Sequence, residues 1–142
     1  MADDALRSVT LTRTGPTMFT ARNARGGEIT VGSPAEGTDH FSPVELLLAA
    51  VAGCSGIDID ILTSRRAEPE ELTLTASAEK LRDQDGNHLG PVTVTVTARF
   101  AEGAEGDGGR ERLPEAVELS RDRLCTVSRT VLLPTPVHYE ID

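Results

Sequence analysis

The sequence predicts an α+β fold. Six stretches read as strands and two as helices, and the strands are joined mostly by tight turns instead of the crossovers that alternate strand and helix in an α/β chain. The predicted order is βββ-α-ββ-α-β. The length agrees with a single domain over residues 1–142, enough chain to bury a real core and too little for two comfortable ones.

Residues 6–14 (LRSVTLTRT) and 17–22 (TMFTAR) alternate with period two and are split by Gly15-Pro16, a strand, turn, strand pattern. A third strand, 28–31, follows the turn Ala24-Arg25-Gly26-Gly27, and 32–41 is a loop of turn formers. Ser42-Pro43-Val44-Glu45 then starts a helix. Ser is a natural N-cap, Pro fits the first helical position, and Glu three residues after the Ser completes a capping box. The helix is predicted to run to about Arg66. Its first half, LLLAAVAGC, is apolar all round and so calls for burial on every side. Its second half, Ile57-Asp58-Ile59-Asp60-Ile61-Leu62, also alternates like a strand, but no turn signal separates the halves.

Pro69 ends that element. Residues 72–81 (LTLTASAEKL) and 92–100 (VTVTVTARF) alternate cleanly, with Thr and Val in β-favoured places, and are joined through Arg82-Asp83-Gln84-Asp85-Gly86-Asn87, whose Asp-Gly marks a hairpin. Residues 101–112 (AEGAEGDGGRER) read as a Gly-rich acidic loop. Residues 113–124 read as a helix, 126–132 as a further helical turn, and 137–141 as a closing strand.

Composition narrows the function. The chain is 38% hydrophobic but 3% aromatic, so Leu, Val, Ile and Ala must build the core, which is thin for a monomer and points to an oligomer. A net charge of −9 argues against nucleic acid, since phosphate contacts need clustered Lys and Arg. The longest apolar run, 46–52, falls far short of the roughly 20 residues of a membrane span, and the first residues carry no signal-peptide core. A cytoplasmic location with no membrane contact is expected. Two Cys in a reducing compartment are then either buried thiols or a redox pair.

Other chemistry fits poorly. Asp83-Gln84-Asp85-Gly86-Asn87 imitates the start of a calcium loop, but His88 stands where the loop needs Gly and Val94 where it needs Glu. His40, His88 and His138 are scattered without ligand spacing to either Cys, so neither metal nor cofactor is expected. No G-x-S-x-G elbow is present. Cys54 and Cys125 remain. By default a Cys in an apolar helix is an inert small hydrophobe. Cys54 lies about twelve residues into its helix, beyond the reach of the N-terminal dipole, so a reactive Cys54 needs help from elsewhere in the fold.

Ser42-Pro43-Val44-Glu45-Leu46-Leu47-Leu48-Ala49-Ala50 followed by Gly53-Cys54, together with Cys125-Thr126-Val127-Ser128, resembles the two signatures of the OsmC/Ohr family. The resemblance implies an intertwined homodimer with antiparallel sheets wrapped around long central helices. It also implies a thiol peroxidase acting on organic hydroperoxides in oxidative stress defence. By carry-over, Cys54 is the peroxidatic residue and Cys125 the resolving one, with a dithiol reductant such as a lipoylated protein reopening their disulfide.

The family's activating residues match less well. The family Glu lies ten positions before the Cys, where this chain has Val44. Glu45, nine before, points about 180° away on the helix and lies about 13 Å along it, so it reads either as a helix cap or as a group acting across a dimer. The family Arg is matched by Arg25, in the Gly-rich turn, with Arg22 as the fallback; either also reads as a solvated hairpin charge. The alternative implied function is a non-catalytic dimer of the same fold that binds a small ligand or senses redox state.

Overall fold

The structure, a computed structural model, describes residues 5–142. The chain divides into two compact units, one up to Leu47 and one from Leu48 onward.

The first unit is an antiparallel sheet of β1 (Val9–Gly15), β2 (Met18–Asn23) and β3 (Glu28–Gly32) in that order. Gly15-Pro16 turns the first hairpin as the sequence predicts, and Thr17 takes a positive φ of 57° there. In the second turn the Asn23 side chain accepts hydrogen bonds from the backbone N–H groups of Arg25 (3.0 Å) and Gly27 (2.8 Å). Gly26, at φ 91°, supplies the left-handed residue that such a tight turn needs. Ala21 and Val31 are buried beneath the sheet.

The helix α1 (Pro43–Ser64) begins where the capping box placed it and stays helical through the Ile-Asp alternation. Its carriage of apolar residues differs from the expectation of burial on every side. Within its first half Val51 is buried but Leu47, Ala49 and Ala50 are exposed in the single chain, and in the second half Ile59 and Leu62 are buried while Ile57 and Ile61 are exposed. By length and composition α1 is also apolar enough to cross a membrane, which the 46–52 run alone did not reveal.

In the second unit β4 (Glu71–Ser77) pairs antiparallel with β7 (Thr93–Arg99), and a smaller hairpin of β5 (Lys80–Asp83) and β6 (Gly86–Leu89) is inserted between them. The predicted strand 72–81 is thus two strands, and Gly86 at φ 130° closes the inner hairpin. Along β4 and β7 one face is half-buried through Leu72, Leu74, Val94 and Val96. The other is exposed, with Thr73 opposite Thr97 and Thr75 opposite Thr95. The second half of α1 packs on the half-buried face at Gly56, where a Cβ would stand 3.2 Å from Leu74 Cδ1.

The C-terminal third departs most from prediction. The helix α2 (Ala104–Leu119) takes in most of the stretch expected to be an acidic loop, and it ends five residues before the expected 124. Two glycines explain the early start. A Cβ on Gly106 would lie 1.5 Å from the Ala101 carbonyl oxygen, and one on Gly109 2.5 Å from Phe100 Cδ1, so the glycines let the helix press against the end of β7. Arg110 closes this corner by donating to the Phe100 and Ala101 carbonyls (3.2 Å each) and to Asp107 (2.5 Å). Pro114 lies inside the helix. A π-helical turn, Ser120–Leu124, follows, and then α3 (Thr126–Leu132), the short helical turn that was expected. Residues 137–141 form no strand; Val137, Tyr139 and Ile141 lie exposed.

Candidate active site

Three elements of the second unit converge on the two cysteines. Cys54 and Asp58, one helical turn apart, share a face of α1. Cys125 is the residue between the π-helical turn and α3. Its backbone N–H donates to the Ser120 carbonyl (2.9 Å), the five-residue bond that closes the π turn. That extra residue in the turn sets the direction in which Cys125 leaves it. The Sγ atoms of Cys54 and Cys125 and a carboxylate oxygen of Asp58 all lie within 4.8 Å of one another. Both cysteines are free thiols.

The sulfurs differ in surroundings. Cys125 is fully buried at the N-cap of α3, while Cys54 is partly exposed. Cys125 Sγ accepts a hydrogen bond from the Ser128 backbone N–H (3.3 Å), meets Ser128 Oγ at 3.3 Å, and is reached by the Ser55 hydroxyl at 3.8 Å. Burial works to raise its pKa, but the hydrogen bonds from Ser128, Cys54 and Ser55 outweigh it and hold the thiol below its ordinary value. Cys54 goes the other way. Burial pushes its thiol up, the Val127 backbone N–H opposes this, and Cys125 and Asp58 push it up further. The hydrogen-bond donors of the pair thus converge on Cys125. Asp58 in turn is fixed by the buried Ser120 hydroxyl, which donates to Oδ2 at 2.8 Å.

The residues singled out in the sequence divide between the units. Cys54 and Cys125 are brought together. Glu45 stands in the first unit as a helix cap: the Ser42 N–H donates to Glu45 Oε1 (2.9 Å) and the Glu45 N–H to Ser42 Oγ (3.2 Å). Those bonds from Ser42 hold the Glu45 carboxyl below the usual range. Arg25 is exposed in the β2–β3 turn, and Arg22, the fallback, is paired with Glu28 at 2.6 Å. Sequence reasoning missed Asp58, Ser55, Ser120 and Ser128. The helical spacing of Cys54 and Asp58 was a signal, obscured because Ile57-Asp58-Ile59-Asp60 also alternates like a strand.

An apolar cleft of about 530 Å³ opens beside the pair. Ser55 and Ser128, the two serines that contact Cys125, form its thiol end, and Val51, Ile59, Val94 and Leu132 are among its walls.

An α+β chain with two thiols held at contact range beside an apolar cleft defines a dithiol protein. This chain belongs to the OsmC-like protein family, whose pattern it matches over residues 35–140. It is 31% identical over 131 residues to uncharacterized proteins of Mycobacterium tuberculosis and Mycobacterium bovis, covering 91% of each chain. Among solved structures, its fold is similar to an OsmC-like protein of unknown function from Vibrio cholerae (TM-score 0.73, 15% identity, 90% of this chain and 94% of that one). It is also similar to the organic hydroperoxide resistance protein of Bacillus subtilis (TM-score 0.61, 19% identity, 89% and 90%).

Proposed function

We propose that the chain is a thiol-dependent peroxidase that reduces organic hydroperoxides, with Cys54 as the attacking sulfur and Cys125 as the resolving one. The observation that carries this reading is the proximity of the two sulfurs, with Cys54 partly open to solvent and Cys125 buried behind it. Membership of a family that includes hydroperoxide resistance proteins supports it.

The chemistry has two steps. The Cys54 thiolate attacks the terminal peroxide oxygen, the O–O bond breaks, and the alkoxide takes a proton and leaves as alcohol, which converts Cys54 to a sulfenic acid. The Cys125 thiolate then attacks the Cys54 sulfur, expelling hydroxide that leaves as water, and a disulfide forms. A dithiol reductant returns both sulfurs to the reduced state. The hydrogen bonds that favour Cys125 as thiolate suit it to the second step. The apolar cleft favours an alkyl or acyl hydroperoxide over hydrogen peroxide.

A second reading rests on a specific observation. The charged side chain acting on Cys54 is a carboxylate, Asp58, which resists thiolate formation where an activating cation would promote it. A slow thiol of this kind suits a redox sensor or a ligand-binding member of the family. One experiment separates the two. One equivalent of cumene hydroperoxide is added to the reduced protein and the intact mass is followed in time. The peroxidase loses two hydrogens far faster than free thiol reacts, fails to do so as Cys54→Ser, and accumulates a sulfenic or over-oxidised product as Cys125→Ser. A rate no greater than that of free thiol overturns the peroxidase and leaves the sensor.

The exposed apolar residues of α1, the lean core and the unpaired C-terminal residues support a homodimer. Roles for Arg25 and Glu45 across such a dimer would complete the carried-over site. Their local contacts as turn and cap residues account for them without it.

A further inference from the structure

We infer that the reduced dithiol and Asp58 form a binding site for a thiophilic divalent cation of the zinc class. The three His are absent from it, and it was their scattered spacing that argued against zinc in the sequence. The structure assembles a different donor set, two sulfurs and one carboxylate, whose ligand atoms lie within 4.8 Å of one another. Zinc bound to thiolate at about 2.3 Å and to carboxylate at about 2.0–2.2 Å in a tetrahedron needs sulfurs about 3.8 Å apart and sulfur to oxygen about 3.5 Å. The donors therefore exceed that geometry by no more than about 1.3 Å, a shift side-chain rotation can supply.

Two donors, Cys54 and Asp58, come from successive turns of one rigid helix, and the third, Cys125, is fixed by the π-helical turn. Outer contacts hold them in place, as metal ligands require. The Ser120 hydroxyl anchors Asp58 Oδ2, and the Ser128 N–H stabilises charge on Cys125. The arrangement also gives the otherwise adverse carboxylate a use. Two thiolates and a carboxylate place three negative charges at close range, which a divalent cation offsets. Binding releases the remaining thiol protons to solvent and forms two metal–sulfur bonds with no change in oxidation state. Three protein ligands leave the fourth position for water on the open side of Cys54. Thiolate donors select zinc-class ions over magnesium or calcium. Because the same sulfurs form the disulfide, cation and disulfide exclude each other: oxidation ejects the ion, and the bound ion protects the thiols.

Cobalt(II) added to the anaerobically reduced full chain tests this with no peroxide present, so its outcome is separate from that of the peroxidase assay. The expected result is a thiolate-to-cobalt charge-transfer band that saturates at one ion per chain, is displaced by zinc, and is absent after oxidation to the disulfide. Asp58→Asn, with both thiols still titratable and its helical circular dichroism intact, should weaken cobalt binding at least tenfold. Ser120→Ala should weaken it about 10-fold through the lost anchor, and it decides the matter if Asp58→Asn does not fold. No charge-transfer band in the reduced protein, or unchanged affinity in a folded variant lacking the carboxylate or its anchor, overturns the site.

Discussion

The Cys54 side chain is held in a state unlike that of a free thiol, and the difference can be measured. Burial, Cys125 and Asp58 raise its pKa, so its thiolate fraction at neutral pH is below that of an ordinary cysteine and grows as pH rises through the elevated value. Alkylation of Cys54 by iodoacetamide in Cys125→Ser, followed by intact mass, should therefore climb with pH beyond the range where a model thiol levels off. Asp58→Asn removes one of the charges that resist ionisation. It should accelerate alkylation of Cys54 at pH 7 relative to the parent, and an unchanged or lower rate would show that the carboxylate does not govern the thiol. Glu45 invites the opposite sign. Its folded pKa is depressed, so its contribution to stability is present above the unfolded value of about 4.3 and is lost as pH falls through the folded value. Urea unfolding of Ser42→Ala should show a loss of about 1 kcal/mol from the missing cap, with Cys54 alkylation unchanged. Of these residues, both Cys and the capping box were legible in the sequence because they depend on local motif. Asp58 was not, because its meaning comes from Cys125 and Ser120, which are far away in the chain.

At the scale of elements, local pattern was reliable where secondary structure is set by neighbours in sequence. The hairpins at Gly15-Pro16 and Asp85-Gly86, the start of α1 and the two-faced β4 and β7 all follow from turn chemistry and period-two alternation. It failed where tertiary contact overrides propensity. AEGAEGDGGRER has the composition of a loop, yet Gly106 and Gly109 are helical because their missing side chains admit the Ala101 carbonyl and the Phe100 ring. Gly106→Ala, a helix-favouring change by propensity, should therefore destabilise by roughly 1–3 kcal/mol in thermal or urea unfolding. A stabilised variant would show that the close approach at Ala101 is not obligatory. The expected strand over 137–141 failed for the complementary reason: alternation promises a strand only if a partner edge is available.

For the whole molecule, the apolar residues left in solvent define the next question. Ile57 and Ile61 are one turn apart on α1 and 64% and 52% exposed, and Tyr139 is 90% exposed. Light scattering should return a dimer mass, and Ile57→Asp with Ile61→Asp should shift it toward monomer. A parent that runs as monomer would remove the second copy from the proposal. The dithiol itself lies within one unit of one chain, so oxidation should leave the band of a single chain on a non-reducing gel. The π-helical turn gives this arrangement a length rule. An α-helix carried from Leu119 to Cys125 with the same number of residues would swing the sulfur by roughly a third of a revolution, and the π turn absorbs that extra residue. Among aligned relatives, a one-residue gap within 120–124 would mark a chain that reaches its second cysteine through an unbroken α-helix and still turns it toward the first, whereas a straight α-helix of unchanged length would turn it away.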